Sequence, residues 1–237
     1  MNNFHKKFST SIFKNKDFYH IKINNNFLKT PHGNTFFVPS KNIAKAVLSE
    51  LNMGTENSSV VSFTKITNSA IDIINNDKKK FVKNLAINIH NDAICYFSNE
   101  PKDLFFKQKQ IWTPLLLWIK KEYSLGLKYT KSFKTISQSL NSVQILNKIL
   151  MNYNIFQISC INTLCQITGS IIISLALEKS KITHKEAFNA CLLEELYQLS
   201  KWGDDSEANC RREAISNDIY NASVYLREIK LNKVVEF

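Results

Sequence analysis

The hydrophobic residues change their period once, near Thr64, and that single change narrows the folds open to the chain more than any other feature. Before it, Phe18 to Ile23, Phe27 to Thr30 and Thr35 to Val38 are short runs of aromatic and β-branched side chains. They are separated by Asn24-Asn25-Asn26 and by Pro31-His32-Gly33-Asn34. Asparagine and glycine accept the positive φ that tight reversals need, so these runs predict a small antiparallel meander. Ser40 can cap a helix that carries Ile43, Val47, Leu48 and Leu51 and ends near Gly54. That helix would cover one face of the sheet, and Val60 to Phe63 is open as one more strand.

Beyond Thr64 the spacing of apolar residues predicts helices over 65–76, 78–92, 103–123, 138–151, 155–178, 184–202 and 205–230, with brief extended pieces at Ile94 to Phe97 and Leu127 to Thr130. The stretch from Ile155 is apolar on nearly every side; as one helix of roughly 24 residues it would span about 36 Å and run through the middle of the bundle. Gln157, Asn162 and Gln166 interrupt it, so it reads as a buried helix and not as a membrane span. The expected fold class is α+β: a small N-terminal α/β domain (antiparallel meander plus helix), residues 17–80, followed by a mainly α-helical orthogonal bundle, residues 81–237, after a disordered basic tail, residues 1–16.

Charge limits the function classes. The net charge is +11, which raises nucleic acid as a partner, yet 28 of the 31 basic residues are lysine and only Arg211, Arg212 and Arg227 could fork onto a base edge. Base-specific readout is therefore not expected. Met1 to Lys16 holds four lysines and no unbroken apolar core, so it does not read as a secretory signal; a short basic tail or an organelle-targeting segment fits it. The five cysteines include no CxxC pair and read as free thiols in a reducing compartment.

Against this basic background, the segment from Glu194 to Asp218 carries seven acidic and three basic residues. Thr183-His184-Lys185-Glu186 is a capping box that starts a helix, Gly203 ends it, and Asp204 or Asp205 can cap the next, with Glu207 in its positive first turn. Two helices thus meet at a sharp corner. If the first runs unbroken to Trp202, then Phe188, Cys191, Leu192, Leu199 and Trp202 share one stripe with Glu195 in its midst. A carboxylate there needs a partner. Two readings stay open: an internal ion pair with Arg211 or Arg212, or an acidic contact inside a partner-binding groove flanked by Glu194, Asp205 and Glu207. Trp202 alone reads as core packing. So does Trp112-Thr113-Pro114-Leu115-Leu116-Leu117-Trp118, with an exposed protein-recognition patch as its alternative.

Catalytic and cofactor signals are weak. The spacing of His184 and Glu186 is explained by the capping box, with no third metal ligand nearby in sequence. The five histidines form no recognisable pairing with serine or cysteine, and Gly126 and Gly169 are isolated, so no phosphate-cradling loop is seen. The chain is expected to be a non-enzyme with no cofactor, metal, small-molecule substrate or membrane insertion.

Glu194-Glu195, Gln198, Trp202-Gly203, Asp205 and Glu207-Ala208 are supported by Lys29-Thr30-Pro31 with Pro39, Ala70-Ile71-Asp72, Cys95-Tyr96, Gln108 with Trp112, Pro114, Leu115 and Trp118, and Thr168-Gly169-Ser170 with Leu175-Ala176-Leu177. In this order and spacing, from about Phe18 to Arg227, the chain resembles the assembly chaperones of the ATP synthase catalytic head, the family that attends the α subunit before it joins the hexamer. Leu51 stands where that family usually carries a tryptophan, and Ser62 where it carries a proline. The resemblance implies a chaperone that consumes no nucleotide and works in a bacterial cytoplasm or, alternatively, a mitochondrial matrix. It also implies that the α subunit meets Glu194, Glu195, Gln198, Trp202, Asp205 and Glu207. The rival expectation is a lysine-rich RNA- or ribosome-associated protein, whose affinity would fall steeply with salt.

Overall fold

The computed structural model describes residues 9–53, 61–132, 134–203 and 206–232. Strands β1 (Thr10–Asn15) and β2 (Phe18–Ile23) form an antiparallel hairpin with Asn15 opposite Phe18. The far edge of β2 is shared by β3 (Asn26–Phe27) and β4 (Phe37–Val38), both antiparallel to it. Asn24 and Asn25 both take positive φ, 49° and 65°, which is the turn chemistry the asparagine run predicts. β1 is a strand where the sequence reading placed the end of the tail. Its residues are exposed or only partly buried, so pairing with β2 orders it and burial leaves little trace in its hydropathy. The meander beyond β2 is also shorter than expected, reduced between β3 and β4 to a bridge of Lys29 with Thr35.

Helix α1 (Lys41–Met53) seals Ile43, Ala44 and Val47 against Ile21 and Val38. Val61 and Ser62 are not a strand: Ser62 accepts from the Lys65 amide at 3.0 Å and caps α2 (Phe63–Ser69), a use for the hydroxyl that proline could not serve. Val60 and Gly54 lie outside the described residues. A π-helical turn (Ala70–Ile74) follows, then α3 (Lys78–Ile87), α4 (Lys102–Tyr123) and α5 (Leu140–Met151).

The expected 24-residue helix is two helices, α6 (Ile155–Thr168) and α7 (Ile171–Glu178). Gly169 adopts φ 67° and Ser170 caps the second, accepting from the Ile173 amide, so the chain turns where the apolar run gives no hint of it. Every residue of α7 is buried, which makes this short helix the centre of the bundle. Asp92, 1% exposed, accepts from the Ile172 amide at 3.1 Å and from the Ile94 amide at 3.3 Å at its start. Burial pushes the Asp92 carboxyl up to about 6. Glu178, 1% exposed, closes the other end on the Tyr153 hydroxyl and Lys230.

The expected helix over 184–202 is likewise two, α8 (His184–Cys191) and α9 (Leu193–Trp202), broken at Leu192, and α10 (Ser206–Leu231) packs on α6 and α8. One apolar core joins sheet and bundle. Phe156 of α6 touches the rings of Phe18 and Phe37, and Asp72 accepts from Thr30, Asn34 and the His32 amide. Burial would raise the Asp72 pKa, but those hydrogen bonds outweigh it and hold the carboxyl below the ordinary range. No described helix is long and apolar enough to cross a membrane. All five cysteines are free, and burial raises the Cys95, Cys160, Cys165 and Cys191 thiols.

Candidate protein-binding groove

The break at Leu192 sets the phase of α9. Leu193 and Tyr197 are buried, and Glu194, Gln198 and Trp202, at positions i, i+4 and i+8, run along the flank beside them. These three side chains line an open groove of about 1190 Å³. Its other wall is the segment 96–101 with Asp103 and Leu104 at the start of α4. Of the extended piece expected at Ile94 to Phe97, Ile94 and Cys95 belong to a 3-10 turn (Ala93–Cys95) and Tyr96 is extended; this segment and the piece expected at Leu127 to Thr130 hold that wall in place. They meet through one bridge, with the Phe97 amide on Thr130 O at 2.8 Å and the Thr130 amide on Cys95 O at 2.9 Å.

Buried amide chemistry ties the walls together. Gln108, fully buried on α4, accepts from the Ser98 amide at 2.7 Å and donates to Glu194 Oε1 at 2.7 Å. Trp112 donates its indole N–H to Ala190 O at 2.8 Å and pins the end of α8. Among the described residues Glu194 Oε2 has no partner, so the carboxylate is oriented yet can still accept. Across the groove Asp103 accepts from the Tyr197 hydroxyl at 2.7 Å and pairs with Lys201 at 3.2 Å. The hydrogen bond from Tyr197, then the Lys201 charge, holds the Asp103 carboxyl below its usual range; Asp103 in turn raises the Tyr197 phenol and the Lys201 ammonium.

Trp202 is 78% exposed and is not core, contrary to the stripe drawn on an unbroken helix. The interruption at Leu192 rotates α9 relative to α8, and Gly203, at φ 89°, stops the helix before anything covers the ring. Glu195 faces away from the groove. It pairs with Arg211 and, at 3.1 Å, with Arg212, whose side chain is 8% exposed. The internal ion pair is therefore the reading the structure shows for Glu195, and it fastens α9 to α10. Glu207 is exposed in the first turn of α10 and does not line the groove; Asp205 lies outside the described residues.

Removing Glu195 leaves the nearly buried Arg212 guanidinium with a lost partner. Glu195→Ala is expected to cost about 1–2 kcal/mol, between the values for exposed and fully buried pairs. Denaturant unfolding checks it, and an unchanged midpoint would show that the pair carries no stability.

The sequence reading identified one wall only. Asp103 and the segment 96–101 were missed because the fold brings them to α9 from nearly a hundred residues away, and Tyr197 and Lys201 of α9 were missed because their partner there is Asp103. The single trace was Gln108 with Trp112, whose four-residue spacing sets both on one face of α4.

The exposed tryptophan and the groove of fixed amide and carboxylate groups beside it are carried on a small antiparallel sheet joined to a helical bundle. That fold is shared with solved structures of Atp12 from Paracoccus denitrificans (TM-score 0.80, 20% identity, 93% of this chain and 96% of that one) and of a mutant of P. denitrificans Atp12p (0.80, 21%, 93% and 95%). It is shared too with the Atu1473 protein of Agrobacterium tumefaciens (TM-score 0.84, 24% identity, 95% of this chain and 85% of that one). The family model for the ATP12 chaperone protein matches residues 2–120. The chain belongs to the ATP12 chaperone family. The matched segment contains the 96–104 wall together with Gln108, which holds Glu194, and Trp112, which holds the end of α8.

Proposed function

We propose that this protein is an assembly chaperone of the ATP synthase catalytic head, and that it binds the unassembled α subunit and shields its interface until the hexamer forms. Family membership supports the chaperone role. The observation that carries the site is Trp202, 78% exposed beside Glu194 and Gln198 on the lip of the groove. A subunit waiting for its neighbour exposes apolar and charged surface that aggregates while bare. Trp202 offers a rigid apolar anchor for such a surface, Gln198 an amide, and Glu194 an acceptor for a client cation. Glu195 acts here as a positioning residue through Arg211 and Arg212.

Because the native neighbour must displace the chaperone, the contacts favour exchange: one anchor, a few polar groups and no deep burial. Capture requires no nucleotide in this reading. The bacterial sources of the similar structures support a bacterial cytoplasm over a mitochondrial matrix as the place of action.

Trp202→Ala tests this. Truncating an exposed ring should leave the unfolding midpoint unchanged, whereas capture of purified α subunit should weaken about 30-fold, the effect of losing a 2 kcal/mol anchor. Wild-type capture by a folded Trp202→Ala protein would overturn the assignment of the groove.

A further inference from the structure

A second groove lies beside the first, between the outward face of α4 and the strap that follows it, and its volume is about 630 Å³. On α4 it is lined by Phe105, Lys109, Thr113, Leu117 and Lys120, a single stripe at helical spacing in which Lys109, Leu117 and Lys120 are exposed. The strap supplies Leu127, Lys128, Tyr129 and Lys131. Two of the apolar side chains stand well out in solvent, Leu117 at 60% and Tyr129 at 64%. Four lysines edge this surface, and among the described residues no carboxylate lines it.

Lys201 pairs with Asp103 and Lys230 with Glu178. Among the described residues Lys109, Lys120, Lys128 and Lys131 pair with no carboxylate; Lys131 instead lies over the Phe105 ring, 3.5 Å from its centroid. Holding four like charges around an apolar floor is unfavourable to the protein alone and is relieved by an anionic occupant with apolar groups of its own. The stripe from Phe105 to Lys120 is about 22 Å long, the length of six or seven extended residues.

We infer that this groove binds an acidic, amphipathic peptide segment of a partner protein, with its apolar side chains on Leu117 and Tyr129 and its carboxylates on Lys109, Lys120, Lys128 and Lys131. A peptide fits better than a nucleic acid: Leu116, Leu117 and Leu127 share the floor with the rings, Phe97 is buried and Phe105 lies under Lys131, so Tyr129 alone among the lining rings offers an open stacking face, and no arginine is among the lining residues. The inference stands apart from the identity of the client at Trp202, although Phe97 and Lys131 line both grooves and one partner can fill the two together.

Fluorescence anisotropy with the full-length protein tests it. The probe is a labelled twelve-residue peptide carrying two leucines and a phenylalanine among glutamates, compared with its all-lysine counterpart and with a glutamate peptide lacking the apolar residues. The acidic amphipathic peptide is expected to bind saturably, and at least tenfold more tightly than either control. The Lys120→Glu/Lys128→Glu double variant, altered only at exposed positions, should bind it about 30-fold more weakly. Trp202→Ala should leave its affinity unchanged, so failure here and failure of the α-subunit reading show in different variants. Equal binding by the double variant, no preference among the peptides, or displacement by a fluorescent fatty acid or by oligouridylate at lower concentration than by peptide would each overturn the inference.

Discussion

Phe156→Ala is expected to lower the unfolding free energy by about 3–5 kcal/mol, a large part of the 5–15 kcal/mol that holds a typical domain together. The ring is 1% exposed and is the point where helix α6 meets the sheet, 6.2 Å from Phe18 and 5.7 Å from Phe37, the latter edge-on. Truncation opens a cavity and also removes both aromatic contacts. The loss should not stay local. Amides of β2 and of α6 are expected to lose hydrogen-exchange protection together, because one core spans both. If β2 alone became labile while the bundle kept its protection, sheet and bundle would be separate cooperative units.

The second large effect is a pH dependence centred on Asp92. Burial outweighs the Ser170, Ile172 and Ile94 hydrogen bonds and raises the carboxyl from an ordinary 3.8 to about 6, so between those values the folded protein holds a proton that the unfolded chain has released. Its contribution to stability is fully present below the unfolded pKa and is lost as pH rises through 6. Wild type minus Asp92→Ala isolates that group. The stability difference between the two should shrink by about 2 kcal/mol from pH 4.5 to pH 7.5, measured by urea unfolding. A flat or growing difference would mean that Asp92 is ionised in the fold throughout. Asp72 acts in the opposite sense: its lowered pKa gives stability that is lost as pH falls below the carboxylate range.

What the sequence disclosed depended on whether the signal was local. The capping box at Thr183 and Glu186 forms as its residues dictate, with the Thr183 amide on Glu186 Oε2 at 2.7 Å, because both partners lie within one turn. The Asn24-Asn25 reversal was legible for the same reason. Gly169-Ser170 carried the stop and cap chemistry in plain view, but the apolar run on both sides hid it. Leu192 gave no warning, since nothing in its side chain breaks a helix; its φ of −102° follows from how α8 and α9 pack. Missing that one residue misplaced Trp202. At the groove the i, i+4, i+8 series of Glu194, Gln198 and Trp202 could be read from spacing, whereas Asp103 reaches Tyr197 only through tertiary contact.

Glu194 and Glu195 are neighbours in the chain with opposite engagements, one on Gln108 and one on the arginines of α10. Consecutive helical residues differ by about 100° in direction, so α9 is indexed like a key in a lock. Adding or deleting one residue between Leu193 and Leu199 would swing Tyr197 out of the interior and break both engagements at once, a heavier injury than any single replacement within the helix. Variation in this part of the protein should therefore come as exchanged side chains, with the number of residues held fixed.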